Sequence, residues 1–426
     1  MAKTSYSQQK DARQQNASAL LRDLWHHAPL SKSMLAQRSN LTKATVSAIC
    51  KDLTALGLIR ETGQDRSGIG RPGNLIELNS SALCAIGVDL GTNYAAVILT
   101  DLCGRSLWQS SALIPVGSNQ ETVLAQAEAL IAEAIVQAGA QAIPLLGIGV
   151  GVPGIVDPGE NNLVSAPALG WKEVPLKQIW AQRFSVPVLV ENKARAAAMA
   201  EATHGCAQEA TSFVYVNIGT DVRSSVEAAV VTNGFPYRGA RGLAVDAGHM
   251  ILDPQGPLCS CGQRGCWQAM ADVDREVELA QSRLAAGETS VLRRYGAEGN
   301  PALEHRAIHQ AAVERDQLAL EVASSVIMNH VLGIVNLVHI FDPELVVIGL
   351  ASVALPPPYQ ARMQIMTSML EFDIPRAVRQ QLIRRGVAPP TIVYAEHGPE
   401  ACMSGAAALL VDEFLRTPPT AEAKQL

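Results

Sequence analysis

Residues 248–267 read Gly248-His249-Met250-Ile251-Leu252-Asp253-Pro254-Gln255-Gly256-Pro257-Leu258-Cys259-Ser260-Cys261-Gly262-Gln263-Arg264-Gly265-Cys266-Trp267, with three cysteines in eight positions and one histidine upstream. This donor set is typical of a tetrahedral Cys3His zinc site. Gly262 and Gly265 allow the sharp turns that such a site needs. Unrelated buried cysteines, the alternative, rarely cluster in this way. Because no ligand position is obviously open, the pattern predicts a structural zinc ion held by His249, Cys259, Cys261 and Cys266.

The composition limits the class of protein. At 426 residues the chain is too long for one ordinary core, and its 48% hydrophobic content excludes a mostly disordered chain. We find no run near the roughly eighteen apolar residues of a membrane span and no signal-peptide pattern at the N-terminus. Eight cysteines, three of them in the cluster, fit reduced thiols and metal binding. The sequence therefore predicts a cytoplasmic protein of two or three domains, without membrane insertion.

Charge is unevenly distributed along the chain. The net charge is −6, but residues 1–80 carry eleven Lys/Arg and six Asp/Glu, a local excess of +5, and the remainder carries −11. A basic head on an acidic body indicates that the head is the part that meets a polyanion.

Residues 16–79 have the pattern of three short helices followed by a hairpin. The first helix ends near Pro29, and Ser31 and Thr42 are suitable N-caps for the second and third. Strands are predicted at 58–60 and 75–78, joined by a glycine-rich segment. The residues expected to face the core are Leu20, Leu21, Leu24 and Trp25 in the first helix and Ala44, Val46, Ile49, Leu53 and Leu56 in the third.

This element order is typical of a winged helix-turn-helix, whose third helix can enter the major groove of DNA. The base-proximal candidates are Thr42, Lys43 and Thr45, and Ser47 lies on the same polar face. Lys51, Arg66 and Arg71 are candidates for phosphate or groove contacts, since Gly70-Arg71-Pro72-Gly73 would form the tip of the wing. The alternative is a small protein-interaction domain whose charges are only solvated.

From Cys84 onward, strand-like and helix-like segments alternate to Leu415, which indicates an α/β body. Strands are predicted at 95–100, 146–150, 186–190, 213–218, 226–231 and 345–348. Helices are predicted at 121–138, 194–204, 319–337 and 400–415. A polar tail occupies 417–426.

Seven motifs along the chain point to one family. They are Gly70-Arg71-Pro72, Asp89-Leu90-Gly91-Thr92, Gly151-Val152-Pro153-Gly154, Ala166-Pro167-Ala168-Leu169-Gly170-Trp171, Glu191-Asn192, the zinc stretch and Phe341-Asp342-Pro343-Glu344-Leu345-Val346-Val347-Ile348-Gly349. Together they resemble the ROK family (repressors, open reading frames, kinases), and in particular its DNA-binding repressors of xylose and N-acetylglucosamine genes. The resemblance implies a winged helix-turn-helix in residues 1–80 and a two-lobed, actin-like (ribonuclease H-like) sugar-kinase fold in residues 81–416, with a sugar cleft beside the zinc.

The chain departs from the family's kinases where catalysis would occur. Asp221, Arg223 and Ser225 stand in the loop whose glycines would surround the ATP phosphates, and Gly349-Leu350 replaces a glycine pair near the nucleotide. Lys193 stands where the kinases have their catalytic aspartate after Glu-Asn, and a protonated lysine cannot accept a proton near neutral pH. We therefore expect neither ATP binding nor catalysis.

The sugar site departs from the family as well. Ala168, Asp246 and Gln268 replace groups that would hydrogen-bond sugar hydroxyls. Two interpretations stay open: Lys193 favours an anionic effector such as a sugar phosphate or sugar acid, or it pairs with Asp246 and closes the cleft. The effector-site candidates are Gly154, Asn192, Lys193, Asp246, His249 and Gln268.

The resemblance implies a transcriptional regulator, a repressor of carbohydrate-use genes that binds a palindromic operator as a homodimer or homotetramer. Double-stranded DNA, a sugar or sugar derivative and structural zinc are its expected partners. Two alternatives are an active ATP-dependent sugar kinase with an appended DNA-binding head, and a regulator controlled by a protein partner.

Overall fold

The computed structural model describes residues 2–65, 73–115, 117–219, 226–295, 303–351 and 374–419. The chain divides into two units. The first consists of Met1–Val152, Pro175–Glu191 and Met403–Leu426, and the second of Pro153–Val174 and Asn192–Cys402. The N-terminal module thus groups with the first part of the α/β body.

The described part of the N-terminal module has the three predicted helices and the predicted hairpin, and a short strand that was not predicted, β1, extends the hairpin to an antiparallel sheet of order β1-β3-β2. The first helix begins much earlier than residue 16, where the sequence placed its start. The elements are α1 (Ala2–His27), β1 (Leu30–Ser31), α2 (Lys32–Ser39), α3 (Lys43–Ala55), β2 (Ile59–Asp65) and β3 (Gly73–Leu78).

Both predicted helix caps are confirmed. The Ser31 hydroxyl accepts a hydrogen bond from the Met34 N–H at 3.3 Å, and the Thr42 hydroxyl accepts one from the Thr45 N–H at 3.1 Å. Asn40, with a φ of 56°, ends α2 in the left-handed conformation that asparagine tolerates. The turn that separates α2 from α3 is therefore specified by local side-chain chemistry.

The predicted core of this module is largely confirmed, with two exceptions at the ends of the third helix. Leu20, Leu21, Leu24 and Trp25 are buried, and α3 buries Val46, Ile49, Cys50 and Leu53. Ala44 is exposed and Leu56 only half-buried. Ala44 precedes Val46 by two residues, about 200° around a helix, so it points away from the stripe that Val46 begins. Cys50, four residues after Val46, completes the buried stripe instead.

The body contains two five-stranded sheets and a small three-stranded sheet. In chain order its elements are β4 (Cys84–Leu90), β5 (Tyr94–Asp101), β6 (Ser106–Leu113), α4 (Gln120–Ala140), β7 (Leu145–Val152), β8 (Ile155–Val156), β9 (Leu163–Ala166), β10 (Trp171–Val174), α5 (Leu176–Phe184), β11 (Val188–Asn192), α6 (Lys193–His204), β12 (Ser212–Gly219), β13 (Val226–Thr232), β14 (Phe235–Pro236), α7 (Trp267–Met270), α8 (Val273–Ala285), α9 (His305–Val313), α10 (Gln317–Phe341), β15 (Leu345–Ala351), α11 (Ile374–Arg384), β16 (Thr391–Tyr394) and α12 (Ala401–Arg416).

The two large sheets repeat one topology. Their strand orders are β11-β7-β4-β5-β6 and β14-β13-β12-β15-β16. In each sheet a meander of three antiparallel strands is followed by a parallel partner of its first strand, β7 beside β4 and β15 beside β12. This repetition is consistent with the two-lobed, actin-like fold expected from the sequence. Every strand and helix predicted in the body is present.

Among the residues that the structure describes, two helices are long and apolar enough to cross a membrane by length and composition alone. The most apolar 18-residue windows of α4 and α10 have mean hydropathies of 1.3 and 1.7, and 33% and 50% of these windows is buried within the protein. Core helices of globular proteins pass the same test, so this is weak evidence for a membrane span. In α10, residues such as Val331, Ile334 and Val335 pack into the core of the second unit.

Candidate functional site

The cysteine-rich stretch folds into a tight loop that is fixed at its base. The Leu252 N–H donates to the Gly265 carbonyl at 2.8 Å, and the Cys259 N–H donates to the Gln263 carbonyl at 2.7 Å. Gly262 and Gly265 have φ values of 89° and 69°, as the predicted turns require. A Cβ at Gly265 would lie 1.5 Å from a backbone carbonyl oxygen, so this position also excludes a side chain sterically.

The loop brings together the four residues predicted to bind metal. The ligand atoms of His249, Cys259, Cys261 and Cys266 all lie within 4.8 Å of one another. The Cys259 Sγ is 3.5 Å from the His249 Nδ1, and the Cys261 Sγ is 3.6 Å from the Cys266 Sγ. Tetrahedral zinc with Zn–S bonds of about 2.3 Å and Zn–N bonds of about 2.0 Å separates its ligand atoms by roughly 3.5–3.8 Å. The donor set and its spacing therefore fit zinc.

The thiols of the cluster differ in their exposure. Cys259 and Cys266 are 5% and 0% exposed, whereas Cys261 is exposed. Burial, and then the neighbouring thiols of Cys261 and Cys259, raise the pKa of Cys266 to about 12. A divalent cation would relieve this penalty because it stabilises thiolates directly.

Helix α10 supports the metal cluster from behind. Trp267, which follows Cys266, is fully buried, and its backbone N–H donates to the Met250 carbonyl at 2.8 Å. From α10, the Asn329 side chain donates to the Met270 carbonyl at 2.8 Å and the His330 ring lies 6.2 Å from that of Trp267. Both ends of α7 are therefore held in place.

Asn192, one of the effector-site candidates, organises the start of α6. Its side-chain oxygen accepts hydrogen bonds from the N–H groups of Ala194 and Arg195, at 3.0 and 3.3 Å. Its side-chain nitrogen donates to the Gly154 carbonyl at 3.0 Å. Gly154 has a φ of 101°, and a Cβ there would lie 2.2 Å from the Ser165 carbonyl oxygen, so only glycine fits. Two of the predicted residues are thus joined directly.

Lys193 is the first residue of α6 and is half-buried. Asp246, three residues before His249, is exposed. The two interpretations of Lys193, an anionic effector or a pair with Asp246, therefore both stay predictions. A cation at a helix N-terminus opposes the helix dipole, whereas an anion there is favoured.

Arg195 is a residue that sequence analysis missed. It is 3% exposed, and its Nη1 donates to the Gly242 carbonyl at 3.3 Å. This bond fixes the segment that leads to Asp246 against the N-terminal end of α6. An arginine in an alanine-rich helix is the only sequence signal, and spacing alone does not show which carbonyl it meets.

His249 and Gln268 connect the effector-site candidates to the metal cluster. The Nδ1 of His249 faces the Cys259 thiol, and in the described part of the chain no hydrogen bond to its Nε2 is present. Gln268, on α7, is half-buried, and its Oε1 would lie 3.4 Å from a Cβ at Gly248. A histidine that binds metal through one nitrogen can offer the other to a second partner.

Of the DNA-binding candidates on α3, Thr42, Lys43, Thr45 and Ser47 lie at its N-terminal end, and Lys51 lies further along the helix. Thr42 is its N-cap and is exposed, as are Lys43, Ser47 and Lys51, while Thr45 is half-buried. The hydroxyls of Thr42 and Thr45 are 2.8 Å apart and hydrogen-bond each other. Arg66 and Arg71 lie outside the described residues.

The first glycine turn of the body is covered by an aromatic ring. A Cβ at Gly91 would lie 2.0 Å from the Tyr94 ring, and the Tyr94 hydroxyl donates to the Asp89 carboxylate at 2.9 Å. Sequence analysis missed this tyrosine.

The Gly349-Leu350 pair, which replaces a glycine pair in the family's kinases, is closely packed. A Cβ at Gly349 would lie 2.1 Å from the Tyr215 hydroxyl, and Leu350 packs against the core. Asp221, Arg223 and Ser225 lie outside the described residues.

Comparison with known families identifies the chain. The model of the ROK family matches residues 85–413. The chain belongs to the ROK family. Within that family it is 30% identical over 407 residues to a protein named putative xylose repressor from Caldicellulosiruptor sp. strain Rt8B.4, covering 95% of this chain and 98% of the relative.

Solved ROK structures divide according to how much of the chain they cover. A ROK family transcriptional regulator described as a homologue of the E. coli MLC protein matches with a TM-score of 0.75 and 25% identity, covering 95% of this chain and 97% of its own. A ROK family glucokinase from Streptomyces griseus, in complex with glucose and AMPPNP, matches with a TM-score of 0.61 and 26% identity, covering 76% of this chain and 98% of its own. The regulator therefore matches a larger share of the chain than the kinase does.

Proposed function

We propose that this ROK protein is a sugar-responsive transcriptional repressor that is not an enzyme. In this proposal residues 1–80 form a winged helix-turn-helix that binds operator DNA, residues 81–416 form an effector-binding and dimerisation domain, and residues 417–426 form a tail. The observation that carries the proposal is α3, which buries one apolar stripe and leaves a small, polar and basic end exposed.

The geometry of α3 suits entry into the major groove. The Thr42 hydroxyl caps the helix, and the hydroxyls of Thr42 and Thr45 hydrogen-bond each other. Lys43 is the cationic residue closest to the start of the helix. Lys51 lies two turns further on, where a long side chain reaches a phosphate more easily than a base edge. Arg66 and Arg71 complete the proposal as groove or phosphate contacts of the wing.

The cluster of His249, Cys259, Cys261 and Cys266 is proposed to hold a structural zinc ion. Four protein ligands fill a tetrahedral site and leave no position for substrate. Zinc bound there would stabilise the loop that carries His249 and leads into Gln268. Its proposed role is to maintain the wall of the effector site.

Three features support the proposal that the protein has no kinase activity. Lys193 stands where the family's kinases carry their catalytic base, and an ammonium group has no lone pair to accept a proton. The Tyr94 ring covers the Gly91 turn, so a phosphate would have to displace it. The larger coverage by the solved regulator than by the solved glucokinase agrees with these features.

We propose an anionic effector, a sugar phosphate or a sugar acid, bound near the start of α6. The Lys193 ammonium and the helix dipole would both stabilise the anion. Gly154, Asn192, Asp246, His249 and Gln268 would supply the remaining contacts. The effector would change the affinity of a cytoplasmic homodimer or homotetramer for a palindromic operator.

The test is to map binding of the full-length protein on the genomic DNA of its source and to footprint the enriched sites. A palindromic site near carbohydrate genes, released by a sugar derivative, is the expected result. No sequence-specific binding would contradict the proposal. Phosphate transfer from ATP to any sugar would favour the kinase alternative, and release only by another protein would favour a partner-controlled regulator.

A further inference from the structure

The eight cysteines of the chain differ sharply in their access to solvent. Cys261 alone is exposed, whereas Cys103 and Cys206 are half-buried and the rest are buried. Burial, chiefly, raises the pKa of Cys103 to about 11 and that of Cys206 to about 12. Protonated, shielded thiols are poor nucleophiles at neutral pH, so small oxidants would react with them slowly.

A second thiol lies within reach of Cys261. The Cys266 Sγ is 3.6 Å away, so a disulfide of about 2.05 Å requires an approach of only roughly 1.5 Å. Cys266 is fully buried and anchored through Trp267, whereas Cys261 sits on the exposed turn beside Gly262. The exposed turn that carries Cys261 would therefore move to form the disulfide, while Cys266 would stay in place.

We propose that Cys261 is the site at which hydrogen peroxide oxidises this protein, and that the product is a Cys261–Cys266 disulfide that dismantles the metal centre. This inference rests on the proposed zinc site. It goes beyond the proposed repressor function, because it adds an oxidant as a second signal.

The chemistry balances with peroxide as the only oxidant. The Cys261 thiolate attacks one peroxide oxygen, the O–O bond breaks, and a sulfenic acid and hydroxide form. The Cys266 thiolate then attacks the sulfenic sulfur, the S–S bond forms, and a second hydroxide leaves. The two sulfurs lose two electrons in total, and the peroxide gains them.

The disulfide would remove two of the four metal ligands. His249 and Cys259 alone hold zinc far less tightly, because affinity depends on the full set of deprotonated ligands. His249 and Gln268, both effector-site candidates, would then lose the support of the loop. Oxidation is thereby coupled to the effector site by a short path of bonded residues.

The test uses reduced, zinc-loaded, full-length protein treated with hydrogen peroxide. Zinc release is followed with a colorimetric chelator, and disulfides are mapped by peptide mass after alkylation of free thiols. Loss of most of the zinc together with a Cys261–Cys266 disulfide is expected, reversed by a thiol reductant and added zinc. Zinc retained through the treatment, or a disulfide between another pair, would overturn the inference.

Two variants sharpen the test. Cys261→His keeps a metal ligand but removes the thiol, and it should release zinc at least about tenfold more slowly. Cys103→Ser removes a half-buried thiol outside the cluster and should release zinc at the wild-type rate. Equal rates in Cys261→His and wild type would overturn the inference, as would a slow rate in Cys103→Ser. If the reduced wild-type protein binds no zinc, the zinc site itself is wrong. If it binds zinc but does not release it with peroxide, only the oxidation proposal is wrong.

Discussion

The indole ring of Trp267 lies directly against Gly333 of α10, so close that a Cβ at Gly333 would come within 2.3 Å of the ring. Trp267 is fully buried and immediately follows the metal-ligand candidate Cys266. The absence of a side chain at Gly333 therefore lets Trp267, beside the metal loop, pack against α10. The position of the metal loop thus depends on packing in the core as well as on its ligands.

Substitution Gly333→Ala is expected to destabilise the second unit by about 1–3 kcal/mol, because the new methyl group overlaps the Trp267 ring. Thermal and urea denaturation of zinc-loaded protein measures the effect, and faster loss of zinc to a chelator should accompany it. Gly139→Ala is the matched control, since Gly139 also lies in a helix but has open space around its Cβ position. That control should be neutral or stabilising by about 0.5–1 kcal/mol. Equal stability of Gly333→Ala and wild type would contradict the packing argument.

Removal of a single metal ligand should abolish zinc binding. Cys266→Ala is expected to yield protein with little zinc and a lower melting temperature, because structural zinc contributes directly to folding free energy. Elemental analysis and thermal denaturation measure both effects. Cys84→Ala, which removes another buried thiol, should keep its full zinc content. A zinc-replete Cys266→Ala protein would show that the ligands are misassigned.

The sequence predicts the metal cluster well because all four donors lie in one short segment, 249–266, where glycines determine the turns. The caps Ser31 and Thr42 are equally local, since each side chain bonds an N–H three residues later. The strands of the two large sheets are predictable because fully buried strands read as apolar runs. Local chemistry and hydrophobic pattern thus account for most of the fold.

Features that depend on distant contacts could not be predicted in this way. The hydrogen bond between Arg195 and the Gly242 carbonyl joins segments far apart in sequence. The strands β8–β10 are two to four residues long, too short to give a periodic signal. In the sequence Tyr94 looks like an ordinary strand residue, and only the structure shows that its ring packs over Gly91.

Lys51 is expected to contribute a phosphate contact, so Lys51→Ala should weaken binding to all DNA sequences alike. The slope of log affinity against log salt should fall by about 0.9, the value for one lost phosphate contact on B-DNA. Fluorescence anisotropy over a salt series measures it. Lys172→Ala, an exposed lysine of the second unit, serves as the control. An unchanged slope in Lys51→Ala would exclude this contact.

The pair formed by His309 and Glu276 predicts a pH dependence of stability. Burial alone would lower the pKa of His309, but the hydrogen bond and the charge of Glu276 outweigh it and raise the pKa overall. The Nε2 of His309 lies 2.9 Å from a Glu276 carboxylate that is 2% exposed. A raised pKa contributes stability below the unfolded value of 6.5, which is lost as the pH rises through the folded pKa. Urea denaturation at pH 6 and above should show this decline in wild type but not in His309→Gln, and parallel pH profiles would contradict it.

A variant of Lys193 tests whether the protein binds an anionic effector or no small molecule at this site. An anionic effector and a pair with Asp246 are the two interpretations of the Lys193 charge. We expect thermal shifts with phosphorylated or acidic sugars but not with neutral ones. Lys193→Ala should weaken the effective ligand about 10- to 100-fold, the loss of one charged hydrogen bond, while Lys172→Ala should not. The Asn192 side chain, which bonds Gly154 and the start of α6, is unchanged in this variant, so we expect the helix start to be retained. If the thermal shift is unchanged in Lys193→Ala, or if no sugar produces a shift, the anionic-effector proposal is contradicted. DNA binding would then be controlled from a site other than the start of α6.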